Sequence, residues 1–181
     1  MSRPNDYRLT VPEGWHRIVL EPGVREPAIA KVIDQQFRGV DNASQLKGNA
    51  RGQLLRVAQH AYGNGGMELY VSLQTAGGFP LPASLVVTLT PPHDDPAVLV
   101  TPERLAETLG NSFGQVAIIE LPAGQAVRVR RRAEATILDV YVPVPESGAY
   151  LMLSFSTPLD ALADAMIGLF DSIASTLRWI P

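Results

Sequence analysis

Four short strand-like segments at near-regular spacing make up most of the last third of the chain, at residues 116–121, 126–132, 137–144 and 149–155. Turn-forming residues lie between them, including Gly124 and Gly148. Because consecutive strands joined by tight turns pair antiparallel, this spacing predicts an antiparallel sheet. Two further segments with a period of two, at residues 69–74 and 85–90, extend the expected sheet to about six or more strands.

An amphipathic segment follows the last of these strands. Its apolar residues recur at helical spacing and are Leu159, Leu162, Ala163, Met166, Phe170, Ile173, Ala174 and Leu177. Thr157 and Pro158 suit the N-cap and first turn of a helix. The pattern predicts a long C-terminal helix that ends near Trp179 and covers the apolar face of the sheet.

Helical spacing also occurs around residues 29–40, 45–62 and 101–109. Residues 9–11 and 15–20 read as a short hairpin ahead of the first of these helices. We therefore expect a single α+β domain over residues 1–181. Its architecture is a two-layer sandwich, with helices packed on one face of a mostly antiparallel sheet and a long C-terminal helix.

Composition and charge limit what the chain can bind and where it can act. The 181 residues carry a formal net charge of −3, so no overall basic field attracts nucleic acid or an anionic membrane. There is no cysteine, which excludes disulfides and thiolate metal sites. The first residues lack the apolar core of a signal peptide, and no window approaches the roughly 18 apolar residues of a transmembrane helix. We expect a cytoplasmic protein without nucleic-acid or membrane partners.

No set of residues that suits catalysis or metal binding emerges from the sequence. Residues 110–114 form a literal G-x-S-x-G motif, but a helix is predicted before it and a strand after it, the reverse of the order around a hydrolase nucleophile. His16, His60 and His93 show no ligand spacing, and His93 sits beside two aspartates in a polar loop. We predict no catalytic, cofactor-binding or metal-binding residue, and interpret the motif as a helix end followed by a turn.

One basic run lies on the second of the four strands in the last third. Alternation on a strand puts Arg128, Arg130 and Arg132 on one face, with Tyr141 on the neighbouring strand. Arginine side chains suit the acidic groups of a partner, so these four residues are a candidate interaction surface. The absence of interleaved aromatic residues favours a protein over a nucleic acid. The alternative is an outer sheet face balanced by nearby acids, namely Glu120, Glu134 and Asp139.

Several strands carry apolar residues on both faces. Those placed opposite the expected core are Tyr70, Val86, Ile137, Tyr141, Tyr150 and Met152. An uncovered second face would be a candidate interface or ligand cradle. The alternative is that helices or loops from the first 60 residues cover it, and the sequence leaves both open.

Both ends of the chain resemble a known fold family. Residues 6–15, in which Pro12, Gly14 and Trp15 follow a strand-like run, look like the opening of PsbP/Mog1-like proteins. Residues 149–157 and the helix after them are similar to the closing strand and helix of that family. The whole chain also resembles an uncharacterised actinobacterial protein family, through Arg38-Gly39, Leu69-Tyr70 and residues 154–158. The PsbP/Mog1-like resemblance implies a non-enzymatic binding or assembly factor and assigns no functional residue.

Two functions from different classes follow from these observations. The first is a non-enzymatic, cytoplasmic protein-interaction or accessory domain, which binds a protein partner or a second copy of itself. It is favoured by the missing catalytic set and by the strands that are apolar on both faces. The alternative is a small-molecule-binding protein or an enzyme with a dispersed site. That alternative predicts a concave pocket in which His16, His93 or the arginine strand converge.

Overall fold

The computed structural model describes residues 4, 6–91, 100–110 and 114–181. The strands, in chain order, are β1 (Asp6–Arg8), β2 (Trp15–Val19), β3 (Gly66–Ser72), β4 (Thr75–Ala76), β5 (Phe79–Pro80), β6 (Ser84–Thr90), β7 (Gln115–Leu121), β8 (Gly124–Arg132), β9 (Thr136–Pro143), β10 (Tyr150–Thr157) and β11 (Arg178–Ile180). The helices are α1 (Arg25–Gln36), α2 (Ser44–Gly63), α3 (Pro102–Gly110) and α4 (Ala163–Ala174).

Seven strands form one antiparallel sheet in the order β2-β3-β6-β10-β9-β8-β7. β3 and β6 are the two sides of a long hairpin whose tip carries the short β4–β5 pair. The four strands predicted from the last third of the sequence are adjacent, as β7 to β10. The predicted α+β fold, with a mostly antiparallel sheet and a C-terminal helix against one of its faces, is confirmed.

The main core lies between α4 and one face of the sheet, called here the α4 face. Alternate residues of the central strands point into it and are buried, among them Leu85, Leu138, Leu153 and Phe155. The ring of Phe170, on α4, is 0% exposed and stacks on Phe155 with 4.9 Å between ring centroids. This contact ties α4 to β10 in the middle of the sheet.

The apolar stripe predicted for the C-terminal helix is largely present. Six of its eight residues are buried, from Ala163 to Leu177. The other two, Leu159 and Leu162, precede α4, because residues Asp160–Leu162 form a 3-10 turn rather than the first turn of the helix. The hydroxyl of Thr157 accepts a hydrogen bond from the Leu159 N–H at 3.3 Å, so it holds this turn instead of capping the helix itself.

A second, smaller core covers part of the opposite face, called here the α2 face. Ile18 of β2 and Leu69 of β3 pack there against α1 and α2. Of the six residues predicted for the second face, Tyr70 was placed wrongly. It lies opposite Leu85 in the β3–β6 register and is buried in the main core. The first 63 residues therefore cover one end of the second face.

The two ends of the described chain form a separate pair of strands. β1 and β11 pair antiparallel, with Tyr7 opposite Trp179. The predicted hairpin of the first strands is wrong, because β1 pairs with β11 and β2 pairs with β3. The predicted helix also ends early, at Ala174. The Trp179 indole N–H donates a hydrogen bond to the Ala123 carbonyl at 3.0 Å, which holds the last residues extended.

We expect Phe170→Ala to lower the free energy of unfolding by ~3–5 kcal/mol, because it removes a fully buried ring from between α4 and the sheet. Denaturant titration followed by far-ultraviolet circular dichroism measures the change. Leu162→Ala is the matched control, since Leu162 is 44% exposed, and should change the free energy by less than ~0.5 kcal/mol.

Truncation after Thr157 tests the same contact at larger scale. A domain of this size has a net stability of only ~5–15 kcal/mol, so loss of the whole helix should abolish cooperative unfolding. A cooperative melt close to that of the full chain would contradict the core role of α4.

Candidate functional site

Among the residues that the structure describes, the helical layer on the α2 face has a gap above the middle of the sheet. α2 contacts β3, α3 contacts β7 and β8, and α4 contacts β9 and β10 from the other side of the sheet. Between α2 and α3, side chains of β10 and β9 form the floor of a depression. We call it the central groove, and its lining includes Val57, Val86, Leu105, Tyr141, Met152 and Ser154.

The central groove consists of two adjoining cavities. The one beside α2 has a volume of about 480 Å³ and is lined by Val57, Val86 and Met152, among others. The one beside α3 has a volume of about 260 Å³ and is lined by Leu105 and Tyr141. Met152 and Tyr141 are directly opposite each other in the β10–β9 register, so the cavities meet along these two strands.

An ion pair between a buried Asp139 and a partly exposed Arg131 lies in the floor of the central groove. The Asp139 side chain is 3% exposed, and one of its oxygens accepts a hydrogen bond from Arg131 Nε at 3.0 Å. The Ser154 hydroxyl donates to its other oxygen at 2.6 Å. Burial, and then the charge of Asp139, raise the pKa of Tyr141, so the phenol beside this pair stays protonated at neutral pH.

The α2 wall of the central groove is positively charged. α2 has basic residues and no Asp or Glu over its 20 residues. Lys47 forms an ion pair with Asp34, whereas Arg56, which lines the cavity, has no acidic partner in the part of the chain that the structure describes. A positive wall beside an apolar floor favours a ligand that is both apolar and acidic.

The arginine strand predicted from the sequence lies on the α4 face. Arg128 and Arg130 reach across to aspartates within α4, with Arg128 Nε 2.8 Å from Asp171 and Arg130 2.7 Å from Asp164. Arg132 pairs likewise with Asp160. These acids are not the three that the sequence offered as counter-charges. Tyr141 lies on the α2 face, so the structure does not bring it together with the arginines.

The residues of the predicted dispersed site are not brought together. His16 lies on β2 and the arginine strand is β8, with four strands between them in the sheet. His93 and its two aspartates lie outside the described residues, as do residues 111–113 of the G-x-S-x-G motif. Gly110 ends α3 and Gly114, with φ 64°, leads into β7, in the helix-then-strand order that the sequence predicted.

Neither a metal centre nor a membrane span is found in the residues that the structure describes. No group of three or more His, Asp or Glu side chains within residues 6–91, 100–110 and 114–181 is arranged to hold a metal ion. None of the helices in these ranges is both long and apolar enough to cross a bilayer.

A second polar cluster, which the sequence analysis missed, lies on the α4 face next to β1. The Tyr70 hydroxyl donates to Glu68 Oε2 at 2.8 Å, and Arg17 Nε donates to Oε1 at 2.9 Å. Burial raises the pKa of Glu68, but the hydrogen bonds and charge of Arg17 and the hydrogen bond from the Tyr70 hydroxyl outweigh burial and hold the pKa below its usual range. The cluster joins residues about 50 positions apart, so no pattern of nearby residues in the sequence could predict it.

We expect Arg131→Met to lower the free energy of unfolding by ~2–4 kcal/mol, because it leaves the buried Asp139 carboxylate without a cation. The double variant that adds Asp139→Asn should recover most of this loss, since an amide still bonds to Ser154 and carries no charge. Denaturant titrations of the two single variants and the double variant measure the coupling. Additive losses would contradict a coupled pair.

The Glu68 cluster predicts an acid-dependent stability. Because the folded pKa is depressed, ionised Glu68 stabilises the folded state above the unfolded pKa of ~4.3, and this contribution is lost as the pH falls through the folded value. Thermal melts at a series of pH values should show a smaller loss between about pH 5 and pH 3 for Glu68→Gln than for the unchanged chain. Tyr70→Phe removes one hydrogen bond to Glu68, so its loss of stability over this pH range should lie between those of Glu68→Gln and the unchanged chain. An equal loss in all three proteins would contradict a stabilising role of ionised Glu68.

Comparisons with known proteins concern the fold. No protein-family profile matches the chain, and no curated protein does either. Cyanobacterial PsbP from Synechocystis sp. PCC 6803 is similar in structure, with 13% identity, a TM-score of 0.47 and coverage of 96% of this chain and 86% of that one. LpqN of Mycobacterium tuberculosis, which is involved in cell envelope biogenesis, has 15% identity and a TM-score of 0.47, and the match covers 97% of this chain and 83% of that one. A variant of the protein Mog1 has 14% identity and a TM-score of 0.40, with coverage of 62% of this chain and 79% of that one. The chain is thus similar to PsbP and Mog1, the two proteins that its ends were expected to resemble.

Proposed function

We propose that this chain is a non-enzymatic accessory domain that binds an α-helix of a partner protein in the central groove. The observation that carries the proposal is the gap that the described residues leave in the helical layer of the α2 face, between α2 and α3. The separation of His16 from the arginine strand supports a binding role over a dispersed catalytic site.

The width of the gap suits one helix. α2 lies over β3 and packs against Val86 of β6, while α3 lies over β8 and β7. From β6 to β8 there are three strand spacings, which amount to about 14 Å. An α-helix with its side chains is about 10–12 Å across. A helix laid along β10 and β9 would complete the layer.

The lining of the groove selects the chemistry of that helix. Val57 projects from α2 and is 47% exposed although it is apolar, and Val86 and Met152 continue the apolar surface across the floor. An amphipathic helix buries an apolar stripe in such a groove. Arg56 on the α2 wall favours Asp or Glu on the flank of the bound helix. The expected partner segment is therefore an acidic amphipathic helix.

Of the four residues predicted as an interaction surface, only Tyr141 lies in the central groove. Tyr141 therefore belongs to the proposed surface. Arg128, Arg130 and Arg132 are already paired with aspartates near α4, so a role for them in binding stays a prediction outside it. The cytoplasmic location is also part of the proposal, and fractionation of cells that express the full chain tests it.

A designed peptide tests the groove directly. The probe is a helical peptide of about 14 residues, with Leu at i, i+3, i+4 and i+7 and Glu on both flanks. We expect Val57→Asp to weaken its binding at least ~10-fold, because the new carboxylate is desolvated by the peptide and repels its acids. Isothermal titration calorimetry measures the affinity. Leu162→Asp, at an exposed position outside the groove, is the control and should bind the peptide as the unchanged chain does.

A second peptide separates charge from simple stickiness. Replacing its flanking Glu by Lys keeps the apolar stripe and reverses the charge, so it should bind more weakly than the acidic peptide. Arg56→Glu should reverse that preference. Equal affinity for both peptides in every variant, or no saturable binding of either, would overturn the proposal.

A further inference from the structure

Strand β7 is an edge strand without the features that usually protect such edges. Within the part of the chain that the structure describes, it pairs with β8 on one side and ends the seven-stranded sheet on the other. Five of its seven residues are apolar, none is buried, and Ile118 is 41% exposed. Edge strands of monomeric proteins commonly carry Lys, Pro or a bulge that blocks pairing with another chain. β7 has no Lys or Pro, and its register with β8 runs without a shift.

The other edge of the sheet differs from β7. β2 has five residues, among them His16 and Arg17. A short strand with charged side chains is a poor template for pairing, so the long, apolar β7 is the edge to which another strand would add.

We propose that β7 pairs antiparallel with β7 of a second copy of this chain, around a two-fold axis at Ile118. Alternate residues of an edge strand turn their N–H and C=O groups outward, and pairing would satisfy them. A two-fold arrangement also stops at two copies, because both copies use the same edge. The edge strands of the resulting dimer sheet are then the two β2 strands.

The sequence of β7 is self-complementary in this register. Ile118 lies opposite Ile118 of the second copy, and β-branched cross-strand pairs are favourable. Glu120 is the only charged residue of the strand, and it lies opposite Val116 of the second copy, so no like charges meet. A second copy is thus a better match than an arbitrary strand, which must avoid placing an acid opposite Glu120.

The layers above the sheet leave room for this pairing. α4 contacts β9 and β10, two and three strands away from the edge. α3 contacts β7 and β8 from the α2 face, so it lies above the edge strand and not beside it. Two copies would therefore form one continuous fourteen-stranded sheet, twice the seven strands of one chain.

The absence of cysteine from the chain makes a direct test possible. A single Ile118→Cys substitution places one thiol at the proposed two-fold axis, where paired strands bring Cα atoms to about 4.5–5.5 Å, within the range of a disulfide. Mild oxidation at about 100 µM protein should then give a cross-linked product of twice the 19.6 kDa chain mass. Leu162→Cys, exposed at a site away from β7, is the matched control and should stay uncrosslinked.

Light scattering on the unmodified chain gives the second readout. At the same concentration we expect a mass of two chains, falling to one chain in Ile118→Lys, which should still unfold cooperatively because Ile118 is an exposed edge residue. Val57→Asp should leave the mass unchanged, so failure of groove binding and failure of pairing are distinguishable. A single-chain mass throughout, or a dimer in which Ile118→Cys does not cross-link, would overturn the proposal. The second result would instead show that the two copies meet through a surface other than β7.

Discussion

Strands β3 and β6 carry large apolar side chains on both of their faces, and the rest of the structure follows from that constraint. Leu69 and Val86 point one way, and Tyr70 and Leu85 point the other. Each square ångström of apolar surface left in water costs about 25 cal/mol, so both faces have to be covered. One face joins the core cluster that includes residues of α4, and the other joins the cluster that includes residues of α1 and α2. The second cover runs out before β10, and the central groove begins there.

Local periodicity made part of the fold predictable from sequence. The period of two over β7 to β10 and the helical period of α4 are properties of consecutive residues, so both were recognised. The face of Tyr70 was not, because a register offset of one residue between β3 and β6 moves every side chain to the other face. The partners of the arginine strand were missed for a similar reason. Asp164 and Asp171 are 34 and 43 residues from their arginines, and no sequence spacing states which acids a helix brings over a strand.

The central groove and the β7 edge are independent surfaces of one sheet. One lies on the α2 face over β10 and β9, and the other lies at the rim, with α3 between them. Pairing through β7 would therefore leave the groove open in each copy. A two-fold pair would present two grooves, and a partner with two acidic helices would bind both with an avidity beyond that of either site, provided that its linker spans them.

The three ion pairs near α4 bear on which position the helix takes along the sheet. An apolar stripe contacts a flat sheet almost equally well after a slide of one helical turn, about 5.4 Å, because its residues repeat. Asp160, Asp164 and Asp171 are four and seven residues apart, so a slide of one turn would bring at most some of them to an arginine, and only one position sets all three against Arg128, Arg130 and Arg132. Exposed pairs of this kind add little net stability. Their consequence is that the native position of α4 is lower in free energy than positions shifted by one helical turn. Because salt screens these pairs, high salt would reduce that difference before it weakens the apolar core.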